Sequence, residues 1–256
     1  MSALSLLSPS AATDAAWLAA ADVADVAAQL QVRYRLVGGI AITLLTHHYG
    51  ISHRVPSRET ADADMGVPRD VCGDERLLPA LESRGYVREG GNRFVRHDGT
   101  RELTIDVLGP APGAKLESNQ EIGGLSVDLI PGLLAALLLE PVNVSLVAHL
   151  TDGTELAMTL ALPDVRGALI LKVFAYAGRF TDRDASDVWR LLEAAVEGGF
   201  AETDWPQTPV GREAAHLLHQ FFGSPAASGA KKVSARPADQ ARVRLLLQRV
   251  VPRPPV

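Results

Sequence analysis

Cysteine is almost missing from this chain: Cys72 stands alone among 256 residues. No disulfide can form within the chain and no thiolate cluster can hold zinc, which suits a reducing compartment. Long apolar runs are missing too. The most apolar stretch, "LLAALLLEPV" from Leu133 to Val142, falls far short of the roughly 20 residues a spanning helix needs. No basic run opens the N-terminus, and Asp14, Asp22 and Asp25 interrupt its alanine-rich stretch, so no signal peptide is expected. These absences predict a cytoplasmic protein with no membrane segment. Neither sign of charge dominates, and a net charge of -5 gives no global reason to expect nucleic-acid binding. There are no internal repeats.

What is present is ordinary for a soluble globular chain, 47% hydrophobic and 21% charged. The length fits one large domain or a core with an appendage. Charge is uneven at the C-terminus, where Lys231, Lys232, Arg236, Arg242, Arg244, Arg249 and Arg253 face one acid, Asp239. That stretch reads either as a solvated helix with a loose end or as a contact for an RNA backbone.

Pattern and punctuation predict a mixed α/β fold. Residues 1–11 and 251–256 read as disordered. A helix capped by Thr13 follows, then a strand from Arg33 to Val37 broken by Gly38-Gly39, then a helix ending near Gly50. A polar loop leads to a strand from Thr60 to Val67. "DERLLPALESRG" is an amphipathic helix. "NRFVRH" and "TRELTIDVLG" flank Asp98-Gly99 as a hairpin. After a Gly/Pro-rich loop, Leu133 to Leu139 reads as a buried helix, and a second hairpin turns at Asp152-Gly153. The last third is helical and ends in a short basic helix.

Three features in this outline carry chemistry. Gly38-Gly39 lies at a strand-to-helix junction, where free backbone N–H groups suit a phosphate and a tight turn needs the same residues. Asp62 and Asp64 sit at i and i+2 of a strand, so both carboxylates leave one face. The pair reads as a magnesium site or as a charged edge strand. Asp106 interrupts a second apolar strand, where carboxylates are disfavoured. Three carboxylates on one sheet face repel one another unless cations compensate, so the set makes sense as a two-metal site.

"LVGGIAITLL", "RETADADMGV" and "LTIDVLG" together resemble the core of the nucleotidyltransferase superfamily. With "LKVFAYAGRFTDRDASD" downstream, the pattern is similar to the AbiEii/MenT-type nucleotidyltransferase toxins over residues 33–192. The gap from Gly39 to Asp62 is longer than the compact motif, and "HHYGISHRVPS" fills it as a loop.

The resemblance implies a mixed-sheet nucleotidyltransferase core over residues 12–165 and a helical region over 166–250 that completes the active site. It implies that Gly38 and Gly39 cradle an NTP, while Asp62, Asp64 and Asp106 bind two magnesium ions, with Asp106 also as general base. Arg58 and Thr60 belong to the same motif, and Arg58 reads as a phosphate clamp or a surface arginine. Lys172 becomes a triphosphate contact, where its apolar helix alone suggests a snorkelling side chain. Arg179 and Arg183 belong to the pattern as well. Asp184 is a helix-capping residue that also belongs to the site, orienting Lys172, and Asp187 is the weaker candidate.

The implied activity is a toxin that transfers NMP to the 3′ end of tRNA, with an antitoxin partner. The alternatives are a small-molecule, antibiotic-type nucleotidyltransferase and a silent nucleotide-binding module. His47, His48 and His53, the pair His216 and His219, and Cys72 lack the partners a site requires.

Overall fold

The computed structural model describes residues 3–55 and 58–254. Residues 1, 2, 255 and 256, at the ends expected to be disordered, and Pro56 and Ser57, in the expected inserted loop, lie outside the described residues. The chain runs β1 (Leu4–Leu7), α1 (Ala11–Leu30), β2 (Arg35–Val37), α2 (Gly38–His48), β3 (Asp62–Gly66), α3 (Arg69–Cys72) and α4 (Leu77–Glu82). Then come β4 (Val87–Gly90), β5 (Arg93–Asp98), β6 (Arg101–Pro110), β7 (Glu117–Ile122), β8 (Leu125–Ile130), α5 (Leu133–Leu138), β9 (Val142–His149) and β10 (Glu155–Leu162). The rest is helical: α6 (Val165–Arg179), α7 (Asp182–Glu197), α8 (Pro209–Phe222), α9 (Ser228–Val233) and α10 (Pro237–Val250). The fold is mixed α/β, and no helix among the described residues is long and apolar enough to cross a membrane.

The main sheet is mixed, in the order β2-β3-β6-β5-β4, with β8 beside the far end of β6 and β7 beside β8. Strands β3 and β6 are parallel neighbours at its centre. A small second sheet has the order β1-β9-β10. Helix α1 packs on β3, β6 and β10, and α7 packs on α2, α6, α9 and α10. One hydrophobic cluster runs from Trp17 and Val23 through Ile105 and Val107 to Leu191 and Leu247, so the sheet and the C-terminal helices share a core.

Several expectations need correcting. Residues 4–7 are not frayed: β1 pairs in parallel with β9, and Leu4 and Leu6 pack on the core. The edge of β9 would otherwise present unpaired N–H and C=O groups. Helix α1 is capped by Ser10, whose hydroxyl accepts from the Thr13 N–H. Beyond α10, Val251 is fully buried and its N–H reaches the Leu247 carbonyl, so residue 251 is ordered.

The first hairpin turns at Gly99-Thr100, because Asp98 pairs with Arg101. Gly99 takes a φ of +59°, the left-handed conformation such a turn requires. Part of the expected loop is a hairpin, β7–β8, turning at Gly123-Gly124. Helix α5 is only half-buried, with Leu134 and Leu138 exposed. The basic C-terminal helix is amphipathic and docked: α10 buries Val243, Leu246, Leu247 and Val250, each worth about 1.5–3 kcal/mol.

Candidate active site

Pairing across the centre of the sheet decides where the acids go. In the β3–β6 register Asp64 lies beside Asp106 and Asp62 beside Thr104. Ala63, Met65, Ile105 and Val107 are fully buried against the core. Strand alternation therefore sends Asp62, Asp64 and Asp106 together to the opposite face. A carboxylate oxygen from each lies within 4.8 Å of the others. The Thr60 hydroxyl donates to Asp62 Oδ1 at 2.9 Å, fixing that side chain.

Such crowding has an electrostatic cost. Burial first, then Asp62 and Asp106, push the Asp64 carboxyl up to about 7, and Lys172 and Arg58 offset only part of this. Three hard oxygen donors with excess negative charge form a donor set that suits divalent magnesium. The residues fit that ion.

The Gly38-Gly39 junction touches this cluster directly. Gly38 takes a φ of +72°, and a Cβ there would lie 1.7 Å from Asp64 Oδ2. A Cβ on Gly39 would lie 2.6 Å from the Arg58 guanidinium carbon. Gly38 is required by its left-handed backbone and the Asp64 side chain, whereas a Cβ at Gly39 would have to displace the Arg58 guanidinium. Helix α2 starts here with no side-chain cap, so no side chain satisfies its first N–H groups.

A second charged cluster lies where α6 and α7 meet Arg58, in the segment leading into β3. Asp187 is fully buried and receives Arg58 Nη1, Lys172 Nζ at 3.1 Å and Arg190 Nη1 at 2.8 Å. Asp184, one turn earlier, holds Arg179 at 2.8 and 3.1 Å and the Thr181 hydroxyl at 2.7 Å. Its distance to Lys172 Nζ is 3.5 Å, so Asp187 is the nearer partner of that lysine. Burial alone would raise the Asp184 pKa, but Thr181, Arg179 and Lys172 hold it below the ordinary value. Arg190, which sequence reasoning passed over, stands three residues after Asp187, one helical turn, and that spacing was its signal. Arg183 is exposed and lines a smaller pocket with Arg58 and Arg190.

The two clusters border an open cleft of about 990 Å³. Gly38, Asp64, Asp106, Lys172 and Arg179 line it, while Leu108, Ile130, Leu171 and Phe174 form an apolar wall. Arg58 is not part of this lining; it sits behind the glycine junction. Arg93 was also missed by sequence reasoning. It lies directly across the hairpin from Asp106 and grips both carboxylate oxygens, Nε to Oδ1 at 2.9 Å and Nη2 to Oδ2 at 2.8 Å.

The other candidates stay apart. Among the described residues the three aspartates form the one group of metal-ligand geometry, and no histidine joins it. The buried Cys72 thiol is pushed up to about 11 by burial, far from a nucleophile's range. In the basic stretch, Lys232 pairs with Asp182, Arg236 with Asp239 and Arg242 with Glu193.

No family model and no curated protein matches the chain. Several solved chains resemble it weakly. An antigenic nucleotidyltransferase-like protein from Paracoccidioides brasiliensis matches at a TM-score of 0.44 and 15% identity, over 94% of this chain and 93% of that one. The antibiotic-resistance factor ANT(2'')-Ia matches at a TM-score of 0.33 and 12% identity, over 92% of this chain and 91% of the other. Likenesses this distant assign no activity, and the site's own geometry has to carry the functional reading.

Proposed function

We propose that the chain is a magnesium-dependent nucleotidyltransferase that moves a nucleoside monophosphate from an NTP to an acceptor hydroxyl. The observation that carries this is the meeting of Asp62, Asp64 and Asp106 within 4.8 Å at the edge of a cleft that also holds Lys172 and the uncapped start of α2. These three carboxylates would hold two magnesium ions, which supply charge stabilisation at the α-phosphate and on the leaving oxygen. Lys172, aligned by Asp187 and Asp184, and the first N–H groups of α2, at Gly38 and Gly39, bind the triphosphate. Asp106 takes the proton of the acceptor hydroxyl. The new O–P bond forms as the α–β bridge breaks, and pyrophosphate leaves with the bonding electrons.

Arg58 and Thr60 act from behind, Arg58 by filling the space at Gly39 and Thr60 by fixing Asp62; Arg179 stands at the cleft wall. In this reading residues 12–165 supply the metal carboxylates, and residues 166–250 complete the site with Lys172, Arg179 and Asp184.

The acceptor proposed from the sequence resemblance is the tRNA 3′ end, in a toxin neutralised by an antitoxin. A second acceptor class has a specific observation in its favour. Asp128 and Glu213 line the cleft beyond the aspartate triad, and acids there suit a cationic small molecule of the aminoglycoside type. Three of the seven basic residues that would meet RNA, Lys232, Arg236 and Arg242, are already paired with Asp182, Asp239 and Glu193.

Incubation with each α-labelled NTP, plus either total tRNA or an aminoglycoside panel, tests both. Label should move to one acceptor class and vanish in Asp62→Ala. Undiminished labelling by that variant would overturn the assignment.

A further inference from the structure

Arg93 makes the closest contact to the proposed metal site, and the proposed reaction gives it no part. Its guanidinium meets Asp106 through two hydrogen bonds of 2.9 and 2.8 Å. A guanidinium keeps its charge in a protein, so Arg93 is the cation paired with Asp106. It therefore sits where a cation shared by Asp62, Asp64 and Asp106 would draw its charge balance. A guanidinium and a divalent ion compete for the same carboxylate lone pairs and repel each other at this distance.

The backbone under Arg93 is fixed while its side chain is not. The preceding Asn92 carbonyl accepts the Val107 N–H at 2.9 Å, and Arg93 is in register with Asp106, so the strand pairing is complete. The side chain itself is 48% exposed and lines the cleft together with Gly38 and Lys172. A rotamer change is enough to carry the guanidinium from Asp106 into the cleft. An NTP there presents phosphate oxygens, the acceptors that suit the guanidinium fork.

Resting on the nucleotidyltransferase reading, we infer that Arg93 is an exchangeable counter-ion. It neutralises Asp106 while the site lacks cation and turns to the triphosphate when cation and nucleotide enter. It thereby weakens cation binding alone and strengthens nucleotide binding, so that the two ligands load together. Arg93 is a positioning residue for the metal carboxylate and a binding residue for the substrate.

The test uses the full chain with two titrations followed by calorimetry. Manganese chloride alone is titrated first. The four α,β-methylene nucleoside triphosphates are then titrated at saturating manganese. Arg93→Gln should bind manganese about tenfold more tightly than the parent and the favoured nucleotide about tenfold more weakly, the scale of one charge-assisted contact. Arg93→Lys, which keeps the charge without the fork, should fall between them in both titrations. A purely structural loss would weaken both. Unchanged or weakened manganese binding in Arg93→Gln, or unchanged nucleotide binding, would overturn the inference. Asp62→Asn separates this failure from failure of the metal reading: if manganese binding survives that substitution, the carboxylates are not the cation site at all.

Discussion

Two clusters of carboxylates lie side by side in this molecule and are balanced in opposite ways. Around Asp187 and Asp184, two acids meet Lys172, Arg58, Arg179 and Arg190, so each negative charge has a cation within hydrogen-bonding distance. Around Asp64, three acids crowd within 4.8 Å, and among the described residues only Asp106 has an ion pair of its own, with Arg93. The first arrangement already carries its own cations. The second is short of positive charge and opens onto a cleft, which is how a site for a divalent cation differs from a structural network.

Substitutions can break that comparison. The largest expected effect is on activity. Asp64→Asn should lower nucleotide transfer by a factor on the order of 10³ or more. In EDTA the same variant should be at least as stable as the parent, because one crowded charge is gone. Transfer assays paired with thermal unfolding check both halves.

Asp187→Asn should cost stability as well as the alignment of Lys172. It leaves Arg58, Lys172 and Arg190 buried beside a neutral group, at a cost of about 3–5 kcal/mol. For a chain of this size that is a fall in Tm of roughly 10 °C, with or without added cation, in thermal denaturation.

Glycine substitutions sharpen the contrast at smaller amplitude. Gly38→Ala combines a φ of +72° with a Cβ aimed at Asp64, whereas Gly50 has a φ of +69° and open space around it. Gly50→Ala should cost about 1 kcal/mol of unfolding free energy. Gly38→Ala should cost roughly 2 kcal/mol or more and should also displace Asp64 and depress transfer. Urea unfolding of the two variants side by side provides the measurement.

The smallest effect concerns acid. Burial works to raise the Asp14 pKa, but hydrogen bonds from Ser8 and Thr151 and the charge of Arg101 bring it below the usual 3.8. A lowered folded pKa contributes stability that is complete above the unfolded value and fades as pH falls through the folded one. Parent protein should therefore lose stability below about pH 4 more steeply than Asp14→Asn, as read by urea unfolding across that range.

The sequence made part of this legible. The two-residue spacing of Asp62 and Asp64 fixed their shared face, and the apolar neighbours of Asp106 marked it as an intruder in a strand. Partnerships that depend on register were harder to read. Placing the turn at Asp98-Gly99 hid Arg93; with Gly99-Thr100 as the loop, stepping back along both arms brings Arg93 opposite Asp106. Strand β7 escaped notice because "ESNQEI" is polar and has no buried residue, with no apolar alternation to reveal it. Asp187 looked weaker than Asp184 because the resemblance assigned a role to Asp184 and no local pattern marked Asp187. The depth of Asp187 comes from α2 and α6, which no local pattern in α7 encodes.

The account stands or falls on whether the undercompensated cluster takes the ion. The most direct measurement is anomalous X-ray scattering from crystals grown with manganese and an α,β-methylene NTP. The account predicts a manganese peak bounded by Asp62, Asp64 and Asp106, at carboxylate-coordination distances of about 2–2.3 Å, with the triphosphate reaching toward Lys172. A cleft that binds nucleotide with no manganese at those three carboxylates would contradict it.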